Sequence, residues 1–136
     1  MTPLLILTHG DFGPVLLRST ELMYGRQEGV LALGLAPDET REDFAARVRE
    51  GLAQLKARPL VLVDLACGTP WNVALLEGCA ASGGEVLAGL SMPLLLEAMG
   101  LRATHGPVAL AADLARLAPQ ALVRSSELLP GAGGCA

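Results

Sequence analysis

The chain contains two histidines, and their settings differ. His9 follows the apolar run Leu4-Leu5-Ile6-Leu7 through Thr8 and opens onto Gly10. Asp64 closes a second such run, Leu60-Val61-Leu62-Val63. Short, wholly apolar runs read as strands buried on both faces of a parallel sheet. As neighbours, the two strands would lie about 4.8 Å apart, within reach of a hydrogen bond from His9 to Asp64. The carboxylate would then fix the tautomer and leave the other ring nitrogen as a nucleophile. Two helix starts, near Gly13-Pro14 and Thr69-Pro70, open over the same edge. Their free N–H groups and dipoles favour an anion, phosphate included. Thr69 adds a hydroxyl, and Gly10 and Gly68 allow close backbone approach. Phosphoryl transfer through histidine needs these parts, and neither a metal nor another cofactor.

The elements that must position these residues are legible from pattern. Pro14 suits the first turn of a helix running to about Tyr24, with Gly25 as its stop. Val30 to Leu35 reads as a second strand. Thr40 and Asp43 make a capping-box-like start, after which Phe44, Val48, Leu52 and Leu55 recur at helical spacing. Gly68-Thr69-Pro70 opens a helix to about Ala81. Glu85 to Leu90 reads as a fourth strand and Pro93 to Met99 as a short helix. Pro107 to Leu117 forms a further helix, and Ala121 to Arg124 a last short strand. Alternating strands and helices predict a doubly wound α/β fold, mainly parallel, with helices on both faces. A chain this short favours strand order 2-1-3-4, which makes strands 1 and 3 neighbours at a switch point where ligands bind. Residues 1–129 are expected to form one domain, and 130–136 a flexible Gly-rich tail.

Composition narrows the classes. The 136 residues are 51% hydrophobic and 18% charged, which excludes disorder for most of the chain. Aromatics are only 3%, so Leu, Val and Ala must build the core. Fourteen acidic residues against ten basic give a net charge of −4, which argues against a nucleic-acid surface. Three cysteines without a CxxC pair argue against structural zinc. Their odd number, with no signal peptide, points to a reducing cytoplasm. The most apolar window, Val86 to Leu101, is too short and too interrupted to span a bilayer.

Thr8-His9-Gly10 after the first strand, taken with the run from Val63 through Asp64, Cys67, Gly68, Thr69 and Pro70 to Trp71-Asn72, resembles the enzyme IIA domain of the mannose-type sugar phosphotransferase system. The resemblance runs from Leu4 to about Leu122 and includes Glu21, Gly25 and the turn from Gly89 to Pro93. It implies that His9 is phosphorylated, that Asp64 hydrogen-bonds its imidazole, and that Thr69 stands where the family often has serine. It implies HPr as phosphoryl donor, a cognate enzyme IIB as acceptor, and a homodimer that exchanges a C-terminal strand. Ala66 and Cys67 depart from the aromatic and glycine often found there, and Asp11 from an aromatic, which bears on partner choice more than on chemistry. The same fold also serves as a relay for dihydroxyacetone kinase, and the motifs do not separate the two uses.

Other readings stay open at this level. Cys67 beside His9 and Asp64 suggests a Cys/His hydrolase, although no nucleophile-elbow pattern surrounds it. Otherwise Cys67 is a small packing residue, Cys79 helix core and Cys135 a tail residue. A non-catalytic binding module is a further reading, but the Rossmann fingerprint and P-loop are both absent. Phe12 and Trp71 are docking candidates beside the site. His105, in Thr104-His105-Gly106, repeats the first tripeptide without a buried strand before it, and is expected on the surface away from the reactive edge.

Overall fold

The computed structural model describes residues 1–80 and 83–128. Four parallel strands, β1 (Leu4–His9), β2 (Val30–Leu35), β3 (Leu60–Val63) and β4 (Glu85–Ala88), lie in the order β2-β1-β3-β4. Leu4 pairs with Val30 on one side and Leu60 on the other, so β1 and β3 are the central strands. The expected order and the expected neighbours are both present.

The helices are α1 (Phe12–Tyr24), α2 (Arg41–Leu55), α3 (Thr69–Leu76), α4 (Met92–Leu101) and α5 (Pro107–Ala121). Alternation along the strands separates two apolar layers. Leu4, Ile6, Leu60 and Leu62 pack with Leu16 of α1, Leu95 and Ala98 of α4, and Leu110 and Leu114 of α5. Leu5, Leu7, Val61 and Val63 face the other way, onto Phe44 and Val48 of α2 and Val73 and Ala74 of α3. All eight strand residues are buried, which is why the runs carry no polar alternation. No helix among the described residues is long and apolar enough to cross a membrane.

Capping explains several boundaries. Thr40 Oγ1 accepts the Asp43 N–H at 3.1 Å and starts α2 as expected. Ser91 does the same for Leu94, so α4 begins at Met92, one residue before Pro93. Helix α3 stops at Leu76, well short of Ala81, because Gly78 turns left-handed at φ +77°. The Gly78 and Cys79 N–H groups then bond back to Leu75 and Ala74, closing a Schellman turn. Cys79 is buried, but in this turn and not in the helix.

The expected strand over residues 121–124 is absent from the sheet. Helix α5 continues to Ala121, and Pro119, in its last turn, does not end it. Leu122 and Arg124 are extended but belong to no ladder, since both sit beyond a helix that returns across one face. The tail expected at 130–136, with Cys135, lies outside the described residues.

At the amino end of the sheet, Arg102 is 2% exposed. Its guanidinium donates to the carbonyls of Thr2 and Glu28 and to Gln27 Oε1. Burial lowers its pKa from the usual arginine range. The side chain thereby ties the N-terminal segment and the α1–β2 loop to the end of α4 through acceptors that carry no charge. Arg102→Met should leave those acceptors unpaired and cost about 2–4 kcal/mol, read as a lower denaturant midpoint at unchanged slope.

Candidate functional site

β1 pairs with β3 in register up to Leu7 and Val63 and runs on beside β2 to His9, so His9 and Asp64 stand at the same carboxyl edge of the sheet. His9 Nδ1 lies 2.9 Å from Asp64 Oδ2. The same oxygen accepts the His9 backbone N–H at 3.0 Å. One carboxylate oxygen therefore fixes both the ring and the peptide that carries it. A carboxylate only accepts, so Nδ1 carries the proton and Nε2 keeps a free lone pair. The histidine side chain is 45% exposed and the aspartate 17%. The acceptor is sheltered while the ring reaches solvent.

The ring lies against Gly68. A Cβ there would stand 2.9 Å from His9 Cε1 and 3.1 Å from Nε2. Any side chain at this position would crowd the one free nitrogen. Gly10 turns the chain away from His9 at φ +55°, with its N–H donating to the Leu35 carbonyl at 2.8 Å.

The two helix starts differ in what they still offer. At α1, Thr8 Oγ1 takes the Gly13 N–H at 2.7 Å and Pro14 has none to give. At α3, Gly68 is the cap and the first helical bond runs from Asn72 N–H to Gly68 O. The N–H groups of Thr69 and Trp71 precede that bond and have no helical acceptor. The Thr69 hydroxyl makes no hydrogen bond among the described residues. Helix α3, capped by the glycine that lies against the ring, is the start that leaves more N–H groups free for an anion.

Phe12 is 45% exposed and presents its ring to solvent, whereas Trp71 is half-buried against the layer beneath α2 and α3. Leu65, which composition gave no reason to single out, is 62% exposed in the loop after Asp64. Cys67 is exposed and holds a left-handed φ of +68°, with no hydrogen bond to His9. Burial, then the charge of Glu77, pushes the Cys79 thiol up to about 11 and away from thiolate chemistry. No group of three His, Cys, Asp or Glu side chains among the described residues could hold a metal ion.

His105 lies at the opposite end of the sheet, where its carbonyl accepts from the Thr2 hydroxyl. Its Nε2 meets Asp113 Oδ2 at 2.7 Å, and its Nδ1 lies 3.1 Å from the Leu101 carbonyl. Hydrogen bonds from Arg116 and then His105 hold Asp113 below the ordinary carboxylate pKa. Both ring nitrogens of His105 are thus engaged, in contrast to His9.

Sequence reasoning missed two features of the site. One is the second hydrogen bond on Asp64, from a peptide N–H that has no residue-type signature. The other is Thr8, whose hydroxyl ties the strand to the start of α1. A hydroxyl directly before the histidine is a visible signal for a cap, but Gly13-Pro14 is the stronger mark of a helix start and masks it.

The family model for the PTS system fructose IIA component, EIIA-man, matches residues 3–115. The sorbose-specific EIIA component of Klebsiella pneumoniae is 30% identical over 124 residues, 90% of this chain and 91% of that protein. The mannose-specific EIIAB component of Escherichia coli (strain K12) is 33% identical over 101 residues; that match takes in 73% of this chain and 31% of the longer relative. Among solved structures, the phosphotransferase system component EIIA from Streptococcus agalactiae aligns at a TM-score of 0.84 and 28% identity, covering 93% of this chain and 99% of that one. With its sheet order, its matched length and its relatives in agreement, the chain belongs to the EIIA-man family of phosphotransferase system IIA components.

Proposed function

We propose that the protein is a phosphohistidine carrier in sugar uptake, which accepts a phosphoryl group from HPr and passes it to an enzyme IIB. One observation carries the reading: Asp64 occupies Nδ1 of His9 at 2.9 Å and leaves Nε2 as the nucleophile beside Gly68. The Nε2 lone pair attacks phosphorus while the bond from phosphorus to the donor breaks, its electron pair staying with the donor. The ring becomes cationic as the new bond forms, and Asp64 stabilises that charge through Nδ1. The phosphoryl oxygens lie against the Thr69 and Trp71 N–H groups and the Thr69 hydroxyl, with the Gly10 and Gly68 backbones admitting close approach. In the second half-reaction the acceptor attacks the same phosphorus and Nε2 leaves with its electron pair.

Docking of two partners in turn needs exposed apolar surface near His9, and Phe12 with Leu65 supplies it, flanked by Trp71. A homodimer fits the same reading. Leu122 and Val123 are exposed, Leu122 is extended beyond α5, and β4 leaves one edge of the sheet open. Exchange of residues 121–124 onto a second copy would pair both. A cytoplasmic setting accords with the free thiols of Cys67 and Cys79.

Incubation with phosphorylated HPr should raise the intact mass by one phosphate, with a label lost in acid and stable in base. His9→Ala should abolish the gain and His105→Ala should keep it; the reverse pattern would sink the assignment. Asp64→Asn should fold but transfer roughly a hundredfold more slowly, because an amide N–H can face Nδ1 and select the other tautomer. A native rate in that variant would reduce Asp64 to a turn residue. Cys67→Gly should relieve the left-handed backbone and raise stability by about 1 kcal/mol, with transfer retained. A folded but inactive Cys67→Gly protein would point to thiol chemistry instead.

A further inference from the structure

Behind the His9–Gly10 turn stands a network that takes no direct part in the chemistry. Gly10 donates to Leu35 at the end of β2, one residue past the last paired position. Its carbonyl passes so close to Gly34 that a Cβ on Gly34 would stand 1.8 Å from the oxygen. The turn carrying His9 therefore rests directly on the β2 backbone. Yet β2 is an edge strand, with a neighbour on one side only, and all six of its residues are partly exposed. Something else must hold its end in place.

That support comes from α2. Arg47 Nη1 donates to the Gly34 carbonyl at 3.0 Å and to both oxygens of Glu39, at 2.9 and 3.1 Å. Glu39 Oε1 also accepts the Ala36 N–H at 3.1 Å. The guanidinium lies over the buried Phe44 ring, 5.8 Å from its centroid. Glu39 is 12% exposed and Arg47 42%, so the acidic partner is sheltered while the guanidinium stays partly open to water. Arg47 supplies to the open edge of Gly34 what a further strand would have supplied, and Glu39 fixes Arg47.

We propose that the Glu39–Arg47 pair positions His9, by holding the end of β2 under the His9–Gly10 turn at the height where the imidazole meets Asp64. This deepens the relay reading, on which its kinetic effect rests. Displacement of the Gly34 carbonyl moves Gly10, and Gly10 moves the peptide and ring that Asp64 holds. Misplacement of a reacting group lowers the rate of the chemical step and leaves partner affinity largely alone.

The test pairs phosphoryl acceptance with nitrogen NMR of the His9 ring in the unphosphorylated protein. Arg47→Met removes the donor at similar length. It should lower the maximal rate of acceptance about tenfold at little-changed KM for phosphorylated HPr. It should also turn the single Nδ1–H tautomer into a mixture. Arg47→Lys keeps a donor within reach of Glu39 or Gly34 and should recover most of both. Val48→Ala hollows the adjacent buried position without touching the network, and should lose stability while keeping the native ring spectrum. A native rate and native ring spectrum in folded Arg47→Met would overturn the proposal. So would a Val48→Ala protein that reproduced both changes. If Arg47→Met does not fold, Glu39→Gln decides, and a native ring spectrum there would be equally fatal. The spectra need no phosphoryl transfer, so they report on positioning even if the protein proves not to be a relay.

Discussion

One oxygen atom organises the carboxyl edge of the sheet at the candidate site. Asp64 Oδ2 accepts from both the ring and the backbone of His9, so the imidazole is oriented relative to its own main chain as well as to the carboxylate. Two bonds to one acceptor leave the ring little freedom to swing. They also demand that β1 and β3 be neighbours, because only adjacent parallel strands bring their carboxyl ends together at this spacing. Strand order is thus a requirement of the site. The buried leucines and valines of both layers serve it by holding two strands in register.

Much of that scaffold was legible in the residues. The runs Leu4 to Leu7 and Leu60 to Val63 announced strands covered on both faces, and right-handed crossovers then left few orders to choose from. Errors gathered where a local signal competed with a longer-range one. Apolar residues continue past Leu76, but the left-handed turn at Gly78 ends α3 before they do. Extending α5 through Pro119 needed knowledge of its packing, since Leu110 and Leu114 anchor the helix upstream. The segment 121–124 has strand-like residues but no strand beside it in one chain, and β-propensity without a partner decides nothing.

The site divided in the same way. Residue types marked His9, Asp64, Gly68 and Thr69, because each carries a side-chain property that spacing can place at a sheet edge. Groups acting through the main chain left no such mark. The His9 N–H, the Gly10 carbonyl and the Gly34 carbonyl are common to every sequence, and only the fold says which of them meet. Arg47 and Glu39 read as ordinary charges on and before an amphipathic helix for the same reason. Trp71 shows the converse: its type suggested a contact surface, while its place at the third position of α3 turns much of the ring inward.

On the relay reading proposed above, the proline at the second position of α3 limits how firmly the candidate site would grip a phosphoryl group. Pro70 has no N–H, so the first turn aims two backbone donors at an anion where most residues would give three. An enzyme that must hold phosphate through a slow reaction would be weakened by that loss. A carrier faces the opposite demand, because each stabilising contact on the loaded state must be surrendered at delivery. On the relay reading, a phosphorylated His9 with one donor missing would stay closer in free energy to a phosphoryl donor and an acceptor on either side of it. Exchange would then run readily in both directions, with the direction of flow set by the supply of donor and the removal of product.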